Sequence, residues 1–237
     1  MKHSMILRSL SFAALSICIG TVALAQAKPD PAAKPAPSAA QAKPVESVST
    51  VDVVHVQKPS YPLKTCVISG EELKVGETVD YVAKDRLVRL CCNDCKTEFE
   101  KNPAAALKKI DDAVIAAQKP TYPLTTSPVS GNKLDDKAFD YVYGTRLVRL
   151  ASKDEVAAFA KDPKSAMAKV DKALMDAQRP NYKLSTCIVS GKALDAKGEQ
   201  VDALYGTTLV RFCCGNCAKK FQAEPDKFLA DLNSAKK

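Results

Sequence analysis

Tryptophan is absent from this 237-residue chain, histidine occurs twice, and only 6% of the residues are aromatic. The shortage of histidine excludes the most chemistry. His3 lies in an N-terminal segment expected to be removed, which leaves His55. Cys2His2 and His3 metal sites then cannot be assembled, and a Ser-His-Asp or Cys-His catalytic set would have to rest on His55 alone. A phosphate-binding loop is missing too, because Gly191-Lys192 has no glycine five residues earlier. Lys and Arg, 35 against 27 Asp and Glu, are spread along the chain and form no stripe with aromatics. That distribution is a solvated surface and not a nucleic-acid footprint. The acid pairs Asp111-Asp112 and Asp135-Asp136 read as solvated as well. What the chain does have is nine cysteines, so its chemistry is expected to be that of thiols.

The N-terminus reads as a secretory signal peptide over residues 1–25. Met1-Lys2-His3 and Arg8 precede an apolar, uncharged run from Ser9 to Ala25 that ends in Ala23-Leu24-Ala25, a small-x-small cleavage pattern. The run is short for a membrane span, which takes about 20 residues, so cleavage is expected and no span in the mature chain. Cys18 sits in Leu-Ser-Ile-Cys, where Ile17 fills a position that lipid attachment wants small, and it is read as part of the signal. Loss of Lys2 and Arg8 lowers the net charge from +8 to +6. The expected location is exported, periplasmic or extracellular, where cysteines can be oxidised. Residues 26–57 follow as a disordered linker: five of the 14 prolines fall before residue 51, among Ala and Lys, with little apolar bulk to bury.

The rest of the chain repeats itself. Gln-(Lys/Arg)-Pro-x-Tyr-x-Leu begins at Gln57, Gln118 and Gln178, at spacings of 61 and 60 residues. Each copy continues in parallel, through Thr-Cys-Val-Ile-Ser-Gly70, Thr-Ser-Pro-Val-Ser-Gly131 and Thr-Cys-Ile-Val-Ser-Gly191, then through Asp85–Leu90, Thr145–Leu150 and Thr207–Phe212. Three tandem modules are expected, at 58–118, 119–178 and 179–237. Each is a small α+β unit with strands first and two helices after.

In the first copy, Tyr61–Val67 reads as a strand entering a Ser69-Gly70 turn, and Val79–Ala83 with Arg86–Cys91 as a β-hairpin. Tyr143-Gly144-Thr145 and Tyr205-Gly206-Thr207 are its turns in the later copies. Asn93–Phe99 should be a short helix, and Asn102-Pro103 an N-cap followed by proline at the first helical position. The helix it opens places Leu107, Ile110 and Val114 on one core face, with Met167, Val170 and Leu174, then Leu229 and Leu232, in the same register. Tyr61, Tyr122 and Tyr182 read as anchors of each module start. Modules of this size are marginal as independent cores and usually need a staple.

The cysteines supply candidates. The first copy holds Cys66, Cys91, Cys92 and Cys95, and the third holds Cys187, Cys213, Cys214 and Cys217. The middle copy has Ser127, Ala151, Ser152 and Glu155 at the aligned positions. All four thiols are lost together while the apolar frame is kept, so they act as a unit. One thiol leaves a Cys-x-x-Ser-Gly turn. The others leave a strand end and the first turn of a helix, where the macrodipole favours thiolate. Such a set suits Zn2+ with four thiolates, or a softer ion such as Cu+ with three. Cys91 and Cys92 are awkward as joint ligands, since adjacent strand residues face opposite ways.

Leu-Cys-Cys-Asn-Asp-Cys-Lys-Thr-Glu-Phe and Phe-Cys-Cys-Gly-Asn-Cys-Ala-Lys-Lys-Phe, each preceded by Cys-x-x-Ser-Gly, resemble the YHS/TRASH group of treble-clef-related metal-binding modules. Cys66, Cys91, Cys95, Cys187, Cys213 and Cys217 match that pattern, while Cys92 and Cys214 stand where the group often has Ser. The resemblance covers modules one and three, and module two only in its frame. It implies heavy-metal binding, handling or sensing. With no other catalytic motif in the chain, the protein is expected not to be an enzyme. Two other readings stay open: a disulfide scaffold, with three possible pairings of four cysteines, and a thiol–disulfide redox protein built on Cys92-x-x-Cys95 and Cys214-x-x-Cys217. His55 could serve as an extra ligand. No protein partner can be named.

Overall fold

The computed structural model describes residues 49–196 and 198–228. The expected signal peptide, the expected linker as far as residue 48, and Leu229 and Leu232 lie outside the described residues. Helices and small antiparallel sheets alternate along the chain, which is the α+β class expected. Among the described residues no helix is long and apolar enough to cross a membrane.

Three two-stranded hairpins carry the frame. They are β1 (Val79–Ala83) with β2 (Arg86–Leu90), β3 (Phe139–Tyr143) with β4 (Arg146–Leu150), and β5 (Val201–Tyr205) with β6 (Thr208–Phe212). Their registers coincide: Asp80 faces Arg89, Asp140 faces Arg149 and Asp202 faces Arg211. Each pair is ion-paired across the strands at 2.7–2.8 Å. Two-residue turns close all three. Gly144 and Gly206 take positive φ, at +61° and +63°, which a tight hairpin requires at its first turn position. In the first hairpin Lys84 and Asp85 adopt φ of +46° and +64° without glycine.

The second strand of each hairpin is buried on both faces. Leu87, Val88 and Leu90 are all buried, as are their counterparts in β4 and β6. With side chains alternating along a strand, Val88 and Leu90 share one face and Leu87 takes the other. Val88 and Leu90 pack on Phe99, Ala106, Ile110 and Val114, the buried faces of α2 (Asn93–Lys101) and α3 (Pro103–Gln118). The same cluster contains Leu147 of β4. Val148 and Leu150 face the other way, onto Phe159 and Ala166 of α4 (Glu155–Lys161) and α5 (Pro163–Gln178). Helix α3 thus covers its own hairpin and the next one. The two hairpins share a wall.

A glutamine at the end of each covering helix fixes this arrangement. Gln118 accepts from the Leu147 N–H at 2.9 Å and donates to the Thr145 carbonyl at 2.8 Å. Gln178 does the same with Leu209 and Thr207, and Gln57 with Leu87 and Asp85. Gln57 ends α1 (Thr50–Gln57), whose Val53 is buried. Residues 50–57, expected as the end of the linker, therefore form the first hairpin's covering helix. Isolated helices of this length are marginal in water, and packing is what stabilises this one.

Other expectations hold with small shifts. The Asn102 side chain caps α3 by accepting from the Ala105 N–H at 3.5 Å, and Asp162 caps α5 by accepting from Ser165 at 3.0 Å. Ala106, Ile110 and Val114 form the buried stripe of α3, with Leu107 at its edge. The Tyr61, Tyr122 and Tyr182 hydroxyls accept the backbone N–H groups of Arg89, Arg149 and Arg211 at 3.1–3.2 Å, which makes them anchors. Asp111 is not merely solvated; it pairs with Arg86 at 2.6 Å. Tyr61–Val67 is not a strand. It carries only an isolated bridge, Thr65 to Glu72, because the chain reverses at once and leaves no length for a ladder.

Candidate metal centre

The first thiol of each set sits in a tight reversal. Cys66 N–H donates to the Glu71 carbonyl at 2.7 Å, and Gly70 N–H donates to the Cys66 carbonyl at 2.9 Å. Gly70 takes a φ of +80°, a region that only glycine enters freely. Cys187 repeats the knuckle, with bonds of 2.7 Å to Lys192 and 2.8 Å from Gly191. The second thiol, Cys91 or Cys213, follows the last residue of β2 or β6. The last, Cys95 or Cys217, lies in the first turn of α2 or of α6 (Gly215–Ala223).

These elements bring two sets of three sulfurs together. The sulfurs of Cys66, Cys91 and Cys95 all lie within 4.8 Å of one another, and so do those of Cys187, Cys213 and Cys217. Cys91 and Cys95 are 3.5 Å apart, and Cys213 and Cys217 are 3.8 Å apart. Sulfurs bound tetrahedrally to Zn2+ at about 2.3 Å stand about 3.8 Å from one another, so the spacing fits a thiolate-bound ion. All eight described cysteines are free thiols.

The expected groups of four are groups of three with a neighbour. Cys92 caps α2 in extended backbone and is exposed. Its sulfur is 3.7 Å from that of Cys91, yet it is not among the three that lie mutually close. Cys214 stands likewise, 3.7 Å from Cys217. The reason is the one that made the pair awkward: consecutive extended residues project differently, so one thiol turns inward and the next stays at the rim. His55 is exposed on α1 and belongs to neither group.

Each group holds one acidic thiol and at least one suppressed one. Burial pushes the Cys66 thiol up, but the N–H groups of Ser69, Cys91 and Ile68 and the Ser69 hydroxyl outweigh it and bring it down to about 6. Cys187 is brought to about 7 against the same burial, by the Cys213 N–H, the Ser190 hydroxyl and the N–H groups of Val189 and Ser190. The Ser69 hydroxyl favours thiolate at Cys91, yet burial and hydrogen bonds with Cys95, Glu71 and Cys92 prevail and raise it to about 12. Burial, then its bonds to Cys214, Cys213 and Cys187, raise Cys217 to about 12. Clustered thiols cannot all ionise unaided, and a cation among them supplies the missing positive charge. Ser69 and Ser190, whose hydroxyls lie 3.3 and 3.4 Å from the sulfurs of Cys91 and Cys213, were not singled out as site residues. Their signal was the shared Cys-x-x-Ser-Gly.

The middle copy fills the same position differently. Ser127, aligned with Cys66, is buried and donates to the Glu155 carboxylate at 2.5 Å. Ala151 N–H donates to the same oxygen at 3.1 Å. Burial pushes the Glu155 carboxyl up, but these donors and the Ser130 hydroxyl hold it below the usual carboxylate range. One fixed anion stands where the thiols would be and accepts the Ser127 hydroxyl and the Ala151 N–H, while Ser127 Oγ itself accepts the knuckle's Val129 N–H at 3.2 Å. No family model matches the chain, and neither a curated protein nor a solved structure does.

Proposed function

We propose that this protein is a non-catalytic metal-handling protein that holds a thiophilic ion, Zn2+ or Cu+, in thiolate sites of modules one and three, with module two as a metal-free spacer. The observation that carries this reading is the pair of three-thiol groups, each with its sulfurs mutually within 4.8 Å and none in a disulfide. Knuckle amides and a serine hydroxyl favour thiolate in each group, and the spacing suits a bound ion. The resemblance of the six residues to YHS/TRASH modules supports the same reading, with Cys92 and Cys214 as accessory thiols. The tandem modules would be tethered by a disordered segment and exported through the signal at 1–25, so the sites would work in a periplasm or outside the cell. The test is to purify the protein from the exporting compartment, then measure metal by elemental analysis and thiols by titration. Two metal equivalents with eight reactive sulfurs after chelation are expected. Four disulfides and no metal would overturn the reading in favour of a scaffold, and thiol–disulfide exchange activity without metal would favour the redox alternative.

A further inference from the structure

The two thiol groups differ in how they meet solvent. In the third copy Cys187 and Cys213 are each 1% exposed and Cys217 is 8% exposed. They pack in a cluster with Leu194, Phe212 and Phe221, and Cys214 and Phe228 lie against it. In the first copy Cys66 and Cys95 are buried, Cys91 is half-buried and Cys92 is exposed. Cys91 and Cys92 line a cleft of about 390 Å³ with Glu71, Glu72, Lys74 and Glu77. Three carboxylates and one ammonium thus surround the open edge of the thiols. The residues that follow the knuckle in the third copy are Lys192 and Ala193, where the first copy has Glu71 and Glu72.

We propose that the first group is the exchanging site and the third the retaining site, a division that rests on the metal-binding reading above. A hydrated divalent cation is drawn into the cleft by Glu71, Glu72 and Glu77. Carboxylates hold such an ion through charge, while thiolates bind the thiophilic ion more tightly. Cys92 is the first thiol the ion meets. A metal–water bond breaks as the metal–sulfur bond to Cys92 forms and the Cys92 proton leaves to solvent. Bonds to Cys91, Cys95 and Cys66 then form as the Cys92 bond and the remaining waters are lost. Each receiving thiol that is still protonated gives its proton to solvent, and Cys92 takes one back, with no change in oxidation state. Departure runs the same way in reverse. Among the described residues, apolar side chains pack around the sulfurs of the third group, and an ion there is more enclosed.

The experiment loads the full chain with Zn2+ and follows release to excess coloured chelator in a stopped-flow instrument. Two phases of one equivalent each are expected, the fast one at least about tenfold quicker, in line with the rate effects of charged, accessible clefts. The double variant E71K/E72A places the third copy's residues at the first knuckle. It should slow Zn2+ loading of the fast site about tenfold at low salt and flatten its dependence on ionic strength, leaving the slow site unchanged. C92S should slow the fast phase without removing its amplitude. Release of both equivalents at one rate, or Zn2+ loading of the fast site unmoved by E71K/E72A, would overturn the division while leaving metal binding intact. Failure of the wild-type chain to take up Zn2+ at all would overturn the metal reading and this inference together.

Discussion

Copies one and two share a hairpin register, a knuckle and a covering glutamine, yet one gathers thiols where the other gathers a serine and a glutamate. The comparison separates frame from site. Val148, Leu150, Phe159 and Ala166 of the middle copy pack as Val88, Leu90, Phe99 and Ala106 do in the first, so the frame does not depend on cysteine. The knuckle nonetheless leaves inward-facing donors that need an acceptor, since an unpaired buried donor costs about 1–3 kcal/mol. Cys66 meets that need in the first copy and the Ser127–Glu155 pair in the second. Where the first copy has thiols, the second has a fixed carboxylate.

The largest effect should come from reversing that replacement. The triple variant S127C/A151C/E155C restores the three aligned thiols on an intact frame. It should raise bound metal from two equivalents to three, measured by elemental analysis of the purified chain; a count that stays at two would show that the frame alone does not build the site.

Next in size is E155A, which leaves Ser127 and the Ala151 N–H without their acceptor. It should cost about 1–3 kcal/mol in denaturant unfolding without changing the metal count. The same carboxylate sets an acid limit. Because the folded state holds Glu155 below its ordinary value of 4.5, its contribution is complete above that value and fades as pH falls through the lowered one. Melting curves between pH 6 and about 3 should therefore show a steeper loss for the wild type than for E155Q.

Q118A should cost somewhat less, about 1–2 kcal/mol. It should act on the junction of the first two copies, read as faster amide exchange at Leu147 than at Leu209. The smallest change is S130A, which removes one of several donors to Glu155 and should shift stability by under about 1 kcal/mol. S69A, its counterpart at Cys91, should instead alter thiol reactivity, read by alkylation rate.

The hairpins were legible because alternating β-branched segments flank short turns, with glycine in copies two and three, and the cysteines because their spacing recurs and vanishes as a set. Helix α1 was not legible. Val-Asp-Val-Val-His-Val is rich in β-branched residues and a poor helix former on its own, and only contact with the first hairpin decides its conformation. The sharing of α3 between hairpins was hidden for a related reason. Leu-Val-Arg-Leu reads as one alternating face plus an extra leucine, and that leucine, Leu87 or Leu147, is the mark of a second covered face. Glu155 was visible only as a missing cysteine, because nothing in local sequence says that a carboxylate will turn inward.

One contact bears on how the chain comes together in time. Thr145 is buried and donates to the Gln57 carbonyl at 2.9 Å, across 88 positions, and its hydroxyl also meets that of Ser60 at 2.6 Å. A Cβ on Gly206 would lie 2.7 Å from the Pro59 carbonyl oxygen, so the third turn closes on this same short stretch. For a chain that leaves a ribosome or a translocation channel from its N-terminus, residues 57–60 emerge before any of the three hairpins and are completed last. They can be held by the first hairpin early, but they gain their second and third neighbours only after most of the chain is through. The closing contacts are the long-range ones that slow folding, and a chain halted partway would present an open seam where the finished protein has a latch.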